Sequence, residues 1–238
     1  IIFMLIKYNW KFVIKAWFFL IITLALGITI NAFLKNYLAT AAILSIIISL
    51  PLAYLKIFKP NFWIHNSTEL LIYPGIAAVF VPILTPFSII GLLILISIYD
   101  MWAVWKSGIM QKMAKFQMEE LRIFGGFLIP SASAKVKKQI RNLKQKYKGK
   151  KMPKKFKTKK FKVNIAMLGG GDVIFPIITA GVFMKSFGII SALFIIGGAL
   201  GGLAFLFTIT KKGKAYPAMP YISSGIFLGL LIWKFFIA

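Results

Sequence analysis

The apolar residues of this chain come in runs of about 20, which is the length that spans a bilayer, and short polar or basic segments separate the runs. Each run is predicted to be a helix, because only a helix satisfies its backbone within one lipid-exposed segment. The alternation expected of a β-barrel strand is absent from these runs. Seven spans are predicted, at residues 12–34, 38–58, 69–84, 86–106, 163–184, 187–209 and 215–237.

This pattern predicts an all-α polytopic membrane protein, with residues 1–238 forming a single transmembrane domain. The composition agrees, since 59% of the residues are hydrophobic and only 15% are charged, against about 25% charged in soluble domains. The chain starts with Ile1-Ile2-Phe3, which resembles the tail of an apolar segment. We therefore expect this sequence to begin inside a longer protein.

Basic residues predict the orientation of the spans. Nineteen of them are Lys106 and the Lys and Arg residues of the long loop at 107–162. When the basic residues near the other predicted span ends are added, 27 of the 30 Lys and Arg residues lie on the same side of the membrane as this loop. By the positive-inside rule that side is cytoplasmic, so the fragment's N-terminus and the loop are cytoplasmic and the C-terminus is external. The lysine-rich part of the loop, residues 135–162, is expected either to be solvated or to lie on anionic lipid headgroups. Nucleic-acid binding is rejected, because the loop has few interleaved aromatic residues.

The chain has no Cys and a single His, His65. This excludes disulfides, thiol nucleophiles and an HExxH zinc site, which needs two histidines on one helix face. We expect no metal and no cofactor. His65 lies in Asn61-Phe62-Trp63-Ile64-His65-Asn66, which is interpreted as an interfacial connection and not as the place of a catalytic base.

Two of the five acidic residues are predicted inside apolar helices. Glu119 and Glu120 fall in the loop, and Glu69 is interpreted as a first-turn residue at the cytoplasmic start of the third span. Asp100 and Asp172 remain, and a charged carboxylate at the bilayer centre costs at least about 2.5–3.5 kcal/mol. Residues that carry such a cost are functional by default.

The two aspartates are expected to lie at similar depth. Asp100 precedes Lys106 by six residues and Asp172 follows Lys162 by ten, which corresponds to roughly 9 Å and 15 Å along helices. Two carboxyl groups that share a site cannot both ionise cheaply, so they share one proton. One can then activate water while the other protonates a carbonyl oxygen or a leaving amine.

Glycines and prolines surround these positions. Gly169-Gly170-Gly171 precedes Asp172, and such a run favours close backbone approach or local unwinding. Tyr216-Pro217-Ala218-Met219-Pro220 opens the last span at the same predicted depth. Gly197-Gly198 and Gly201-Gly202 form small-xxx-small pairs, which indicate close helix packing.

With these motifs the chain resembles the presenilin and signal peptide peptidase family of GxGD intramembrane aspartyl proteases, and most closely its archaeal homologues. Tyr99-Asp100 is similar to the family's YD motif, Gly169-Gly170-Gly171-Asp172 fits GxGD, and Pro217-Ala218-Met219 stands where PAL belongs, with Met in place of Leu. The similarity covers nearly the whole chain and corresponds to the last seven of nine spans.

The resemblance implies an aspartic endopeptidase in a prokaryotic cell membrane that cleaves transmembrane helices or signal-peptide remnants. It assigns catalysis to Asp100 and Asp172, with Tyr99, Gly169 and Gly171 in support. It also assigns substrate binding to the Pro217, Ala218 and Met219 segment, beside which an unwound substrate adds as a strand.

Other functions are compatible with intramembrane carboxylates. A transporter or cation-leak channel would use the aspartates as an ion or proton site, but no inverted repeat is visible. A prepilin peptidase also carries GxGD but lacks the YD and PAL pair. A non-catalytic membrane scaffold is the third alternative.

Overall fold

The structure, a computed structural model, describes residues 11–59, 61–107, 125–131, 164–210 and 216–236. Within these residues it is built of α-helices, with one short π-helical turn and a two-stranded sheet. The prediction of an all-α polytopic membrane protein is confirmed. The helices are α1 (Lys11–Leu34), α2 (Ala41–Phe58), α3 (Phe62–Phe80), α4 (Pro86–Trp102), α5 (Gly170–Phe187), α6 (Ile189–Ile209) and α7 (Met219–Phe236).

Large apolar side chains cover the outside of the helices. Phe87 on α4 and Phe235 on α7 are 88% and 81% exposed, and soluble monomers rarely leave continuous apolar surface of this kind open to water. In the described part of the chain six helices are long and apolar enough to cross a membrane. The helix outside that set is α3, which carries His65 and Glu69 on its inner face.

Several element boundaries differ from the sequence prediction, and the starts of α3 and α5 differ most. The third span was predicted from residue 69, but α3 begins at Phe62, after an extended Asn61. The fifth span was predicted as helix from residue 163, but Asn164–Gly169 is a strand and α5 starts at Gly170. A short apolar run cannot be assigned to helix or strand by periodicity.

The chain divides into two compact units, one of Ile1–Gly126 with Gly169–Ala238 and the other of Phe127–Leu168. Strand β1 (Gly126–Ser131) pairs with β2 (Asn164–Gly169) in the two-stranded sheet. Most of the basic loop predicted at residues 107–162 lies outside the described residues.

The core of the larger unit lies among α4, α5, α6 and α7. Helix α4 starts at a capping box, in which the Thr85 hydroxyl accepts from the Ser88 amide, with Pro86 in the first turn as the sequence predicts. Its buried residues are spaced about one turn apart and form a narrow stripe: Ile89, Leu93, Ser97 and Asp100. Asp100 is the last residue of this stripe and lies just before the π-helical turn Ala103–Ser107.

Helices α6 and α7 approach each other through glycines. A Cβ atom on Gly198 would collide with the carbonyl oxygen of Gly225, and one on Gly202 with that of Tyr221. A Cβ atom on the neighbouring Gly197 would have no atom of another segment within 4 Å. The predicted small-residue packing is thus made by one glycine of each pair, because only one faces the partner helix.

Gly198→Ala should destabilise the protein by about 1–3 kcal/mol, since the added methyl forces two backbones apart. Gly197→Ala is the matched control and should leave stability unchanged or raise it by up to about 1 kcal/mol, because alanine is the better helix former. Unfolding of both variants in detergent micelles measures the difference. Equal stability would contradict the packing.

Candidate functional site

Asp100 is buried near the end of α4, with 7% of its surface exposed. Its Oδ2 accepts a hydrogen bond from the backbone N–H of Met219 at 3.0 Å, and the amide of Ala218 lies close enough to act as a second donor. A buried carboxylate needs such partners, since leaving it without them costs several kcal/mol.

The Met219 amide is available because α7 begins at this residue. The first four N–H groups of a helix have no partner within the helix. Pro217 ends the preceding segment, and Ala218 forms a bend between them. Pro217, Ala218 and Met219 are all buried. The segment predicted to bind substrate therefore turns its backbone donors toward Asp100.

Asp172 lies in the first turn of α5, where the helix dipole favours a negative charge. The prediction counted ten helical residues before it, and this is wrong because strand β2 occupies most of that length. Its carboxylate folds back on Gly169, whose backbone hydrogen-bonds to it. A Cβ on Gly169 would lie 3.1 Å from Asp172 Oδ2, so this glycine makes room for the carboxylate.

The two carboxylates lie within electrostatic range of each other. They come from separate helices, α4 and α5, and each is held by backbone amides. The site thus offers two acidic groups whose charges interact inside an apolar bundle. Such a pair can hold one proton between its two members and exchange it with a bound molecule.

The other motif residues have different surroundings. Tyr99 is 58% exposed on the outer face of α4, where its ring lies 6.1 Å from that of Trp102 between centroids. Gly171 is also exposed, and a Cβ there would meet only the Phe175 ring at 3.7 Å, an ordinary contact.

The middle glycine, Gly170, is in close contact with two other segments of the chain. Its N–H donates to the carbonyl of Gly125 at 3.1 Å. A Cβ on Gly170 would lie 3.2 Å from that oxygen and 3.3 Å from the hydroxyl of Tyr73 on α3. Gly125 and Tyr73 thus hold the turn that carries Asp172.

Sequence reasoning missed a buried serine pair below Asp100. The hydroxyl of Ser97, one turn before Asp100, lies 2.9 Å from that of Ser223 on α7. Both side chains are buried. Their bond joins the helix that carries Asp100 to the helix whose first amide holds it. The stripe of positions 89, 93, 97 and 100 on α4 was the available signal.

It also missed a buried ion pair between α2 and α3. Lys56 Nζ lies 2.5 Å from Glu69 Oε1, and both side chains are 3% exposed. The interpretation of Glu69 as a first-turn residue is wrong, and so is that of His65 as part of an interfacial connection. Both lie on the inner face of α3. Their recurrence with Thr68, Ile72 and Tyr73 at helical spacing was a signal for one buried helix face.

The full length, residues 1–238, matches the family described as signal-peptide peptidase, presenilin aspartyl protease. No curated protein matches the chain significantly.

Gly170→Ala should cost about 1–3 kcal/mol of stability, because its methyl must displace a backbone carbonyl and a buried hydroxyl. Gly171→Ala should be neutral or gain up to about 1 kcal/mol from helix propensity. The two variants are compared by unfolding in the same detergent. A larger loss in Gly171→Ala would contradict the described turn.

Proposed function

The chain belongs to the signal-peptide peptidase, presenilin aspartyl protease family, and on that premise we propose that Asp100 and Asp172 are the catalytic pair of a GxGD-type aspartic endopeptidase. The family is one of intramembrane proteases, so its members act on transmembrane substrates in a lipid environment. The proposed substrates are single transmembrane helices, including the remnants of signal peptides.

One observation carries this proposal. Two carboxylates from different helices lie within electrostatic range inside the bundle, and one of them is fixed by the Met219 amide at 3.0 Å. A single buried carboxylate could have a purely structural role. A pair held by separate backbone donors, with a proton to share, is what acid–base hydrolysis of a peptide bond requires.

The proposed reaction uses the two groups in complementary states. The ionised carboxylate takes a proton from a water molecule, whose oxygen attacks the scissile carbonyl carbon. The protonated carboxyl gives its proton to the carbonyl oxygen. The tetrahedral intermediate then collapses: the C–N bond breaks, and the carboxyl that took the proton from water gives it to the leaving nitrogen. One hydroxyl of the intermediate returns its proton to the other carboxylate as the new C=O forms, so that the pair again holds one proton.

Substrate docking is proposed along Pro217, Ala218 and Met219. The backbone before α7 is not helical, so an extended substrate can donate hydrogen bonds to its carbonyl groups, while the amides of Ala218 and Met219 stay with Asp100. The side chains of this segment are buried. Recognition would therefore depend on main-chain hydrogen bonds more than on particular substrate side chains.

The proposed orientation has the basic loop at residues 107–162 in the cytoplasm and the C-terminus outside. It rests on the distribution of Lys and Arg, of which 27 of 30 fall on the predicted inner side. Lys56 is one of the 27 but forms a buried ion pair with Glu69. The orientation is therefore inferred from the other basic residues on that side.

Asp100→Asn and Asp172→Asn should each lower cleavage of a single-span substrate by at least about 100-fold, because Asn cannot carry the proton. The double variant should be no slower than the worse single one, since the pair acts as a unit. Cleavage is measured in detergent by appearance of product fragments, with and without a transition-state inhibitor of aspartyl proteases.

Both variants should remain folded and monodisperse, which serves as the control for this experiment. A double Asn variant that cleaves as fast as the parent would exclude the aspartates from catalysis. Ion flux through liposomes containing the parent and the double variant would then test the channel alternative.

A tag placed within residues 135–160 should be reached only from the cytoplasmic face, and a tag after Ala238 only from outside, because basic loops are retained in the cytoplasm. Protease protection in sealed vesicles of known orientation measures this. Both tags on one side would contradict the proposed topology.

A further inference from the structure

A buried polar cluster lies between α2 and α3, formed by Lys56, His65, Thr68 and Glu69. Lys56 Nζ lies 2.5 Å from Glu69 Oε1 and 3.3 Å from the Thr68 hydroxyl. The same Glu69 oxygen lies 3.9 Å from His65 Nε2. Each of the four residues is at most 7% exposed. An ion pair this deeply buried needs such additional partners, because desolvation offsets much of its attraction.

The cluster reaches the turn of Asp172 through two backbone carbonyls. His65 Nε2 lies 2.8 Å from the carbonyl oxygen of Gly126. The preceding carbonyl, that of Gly125, accepts the N–H of Gly170 at 3.1 Å. His65 therefore holds one end of a two-residue backbone segment whose other end holds the first turn of α5.

The Gly126 carbonyl determines which ring nitrogen of His65 carries a hydrogen. A carbonyl oxygen only accepts, so Nε2 must carry a hydrogen to bond with Gly126. A carboxylate 3.9 Å from the same nitrogen favours a hydrogen there. Lys56 in turn keeps that carboxylate in place. The Gly126 carbonyl and the Glu69 carboxylate therefore both favour the imidazole form that donates from Nε2.

Tyr73 supplies a second contact from the same helix face. It lies one turn beyond Glu69 on α3, close enough to the carboxylates of Glu69 and Asp172 for their charges to act on its hydroxyl. Its hydroxyl also packs on Gly170, within 3.3 Å of where a Cβ would be. His65 and Tyr73, both near Glu69, therefore both contact the backbone around the turn that carries Asp172.

We infer that His65, held by the Lys56–Glu69 ion pair, is a positioning residue that sets the place of Asp172 through the Gly125–Gly126 backbone and Gly170. This inference rests on the proposed catalytic role of Asp172. It assigns His65 no proton transfer to substrate. Its function is to keep the two carboxylates at the separation that the reaction needs, and a displacement of about 1 Å costs on the order of 100-fold in rate.

The test compares His65→Leu, which removes the donor to Gly126, with His65→Gln, whose terminal amide N–H stands where Nε2 does. We expect His65→Leu to lower kcat for a single-span substrate by about 10- to 100-fold while KM stays within about twofold, because the docking segment before α7 is untouched. His65→Gln should restore kcat to within about threefold of the parent, since it restores the hydrogen bond.

Thr29→Val is the matched control. Thr29 is also buried, and its hydroxyl donates to the Leu71 carbonyl, joining α1 to α3. It should lower the melting temperature as His65→Leu does and leave kcat unchanged. A loss of kcat in Thr29→Val equal to that in His65→Leu would reduce the effect to general destabilisation and overturn the inference.

A second readout follows the turn itself. The chain has no Cys, so a nitroxide attached to Gly171→Cys, an exposed position, reports on this turn alone. His65→Leu should increase the label's mobility, and His65→Gln and Thr29→Val should not. Unchanged mobility together with full kcat in His65→Leu would overturn the inference.

Asp172→Asn, assayed beside these variants, separates the two proposals. If Asp172→Asn cleaves normally, the proposed function fails. If Asp172→Asn is inactive while His65→Leu is fully active, only the positioning role of His65 fails.

Discussion

The structure depends on the fact that lipid offers no hydrogen-bond partners, so each polar group inside the bundle must be satisfied by another part of the chain. Asp100 meets this requirement with the amide of Met219, a donor that exists because α7 starts there. Asp172 meets it with the first turn of α5 and the backbone of Gly169. Both carboxylates are thus held by helix beginnings, which ties their position to backbone geometry and not to mobile side chains.

The same requirement explains the polar residues farther from the aspartates. Lys56 and Glu69 neutralise each other between α2 and α3. His65 Nε2 donates to the Gly126 carbonyl. Ser97 and Ser223 satisfy each other between α4 and α7. The Lys56–Glu69 and Ser97–Ser223 bonds each join two helices, so these groups, which are costly in lipid, also fix the packing of the helices against one another.

Much of this architecture could be predicted from the sequence. The runs of apolar residues give the helices, and the cost of Asp100 and Asp172 in lipid singles them out without any structural knowledge. The start of α3 could not be found from hydropathy, because the buried face that includes His65 and Glu69 is polar. The strand before Gly170 was missed because its apolar run is equally typical of a helix end. The Met219 amide was missed because a backbone donor leaves no mark in the sequence.

The glycine contact between α6 and α7 has a mechanical consequence. Gly198, Gly202, Gly225 and Gly229 bring the two backbones so close that neither helix can slide or rotate past the other without a collision. The two helices are therefore expected to move together, and the Met219 amide at the start of α7 moves with them. A tilt of this helix pair against α4 changes the distance between that amide and the Asp100 carboxylate.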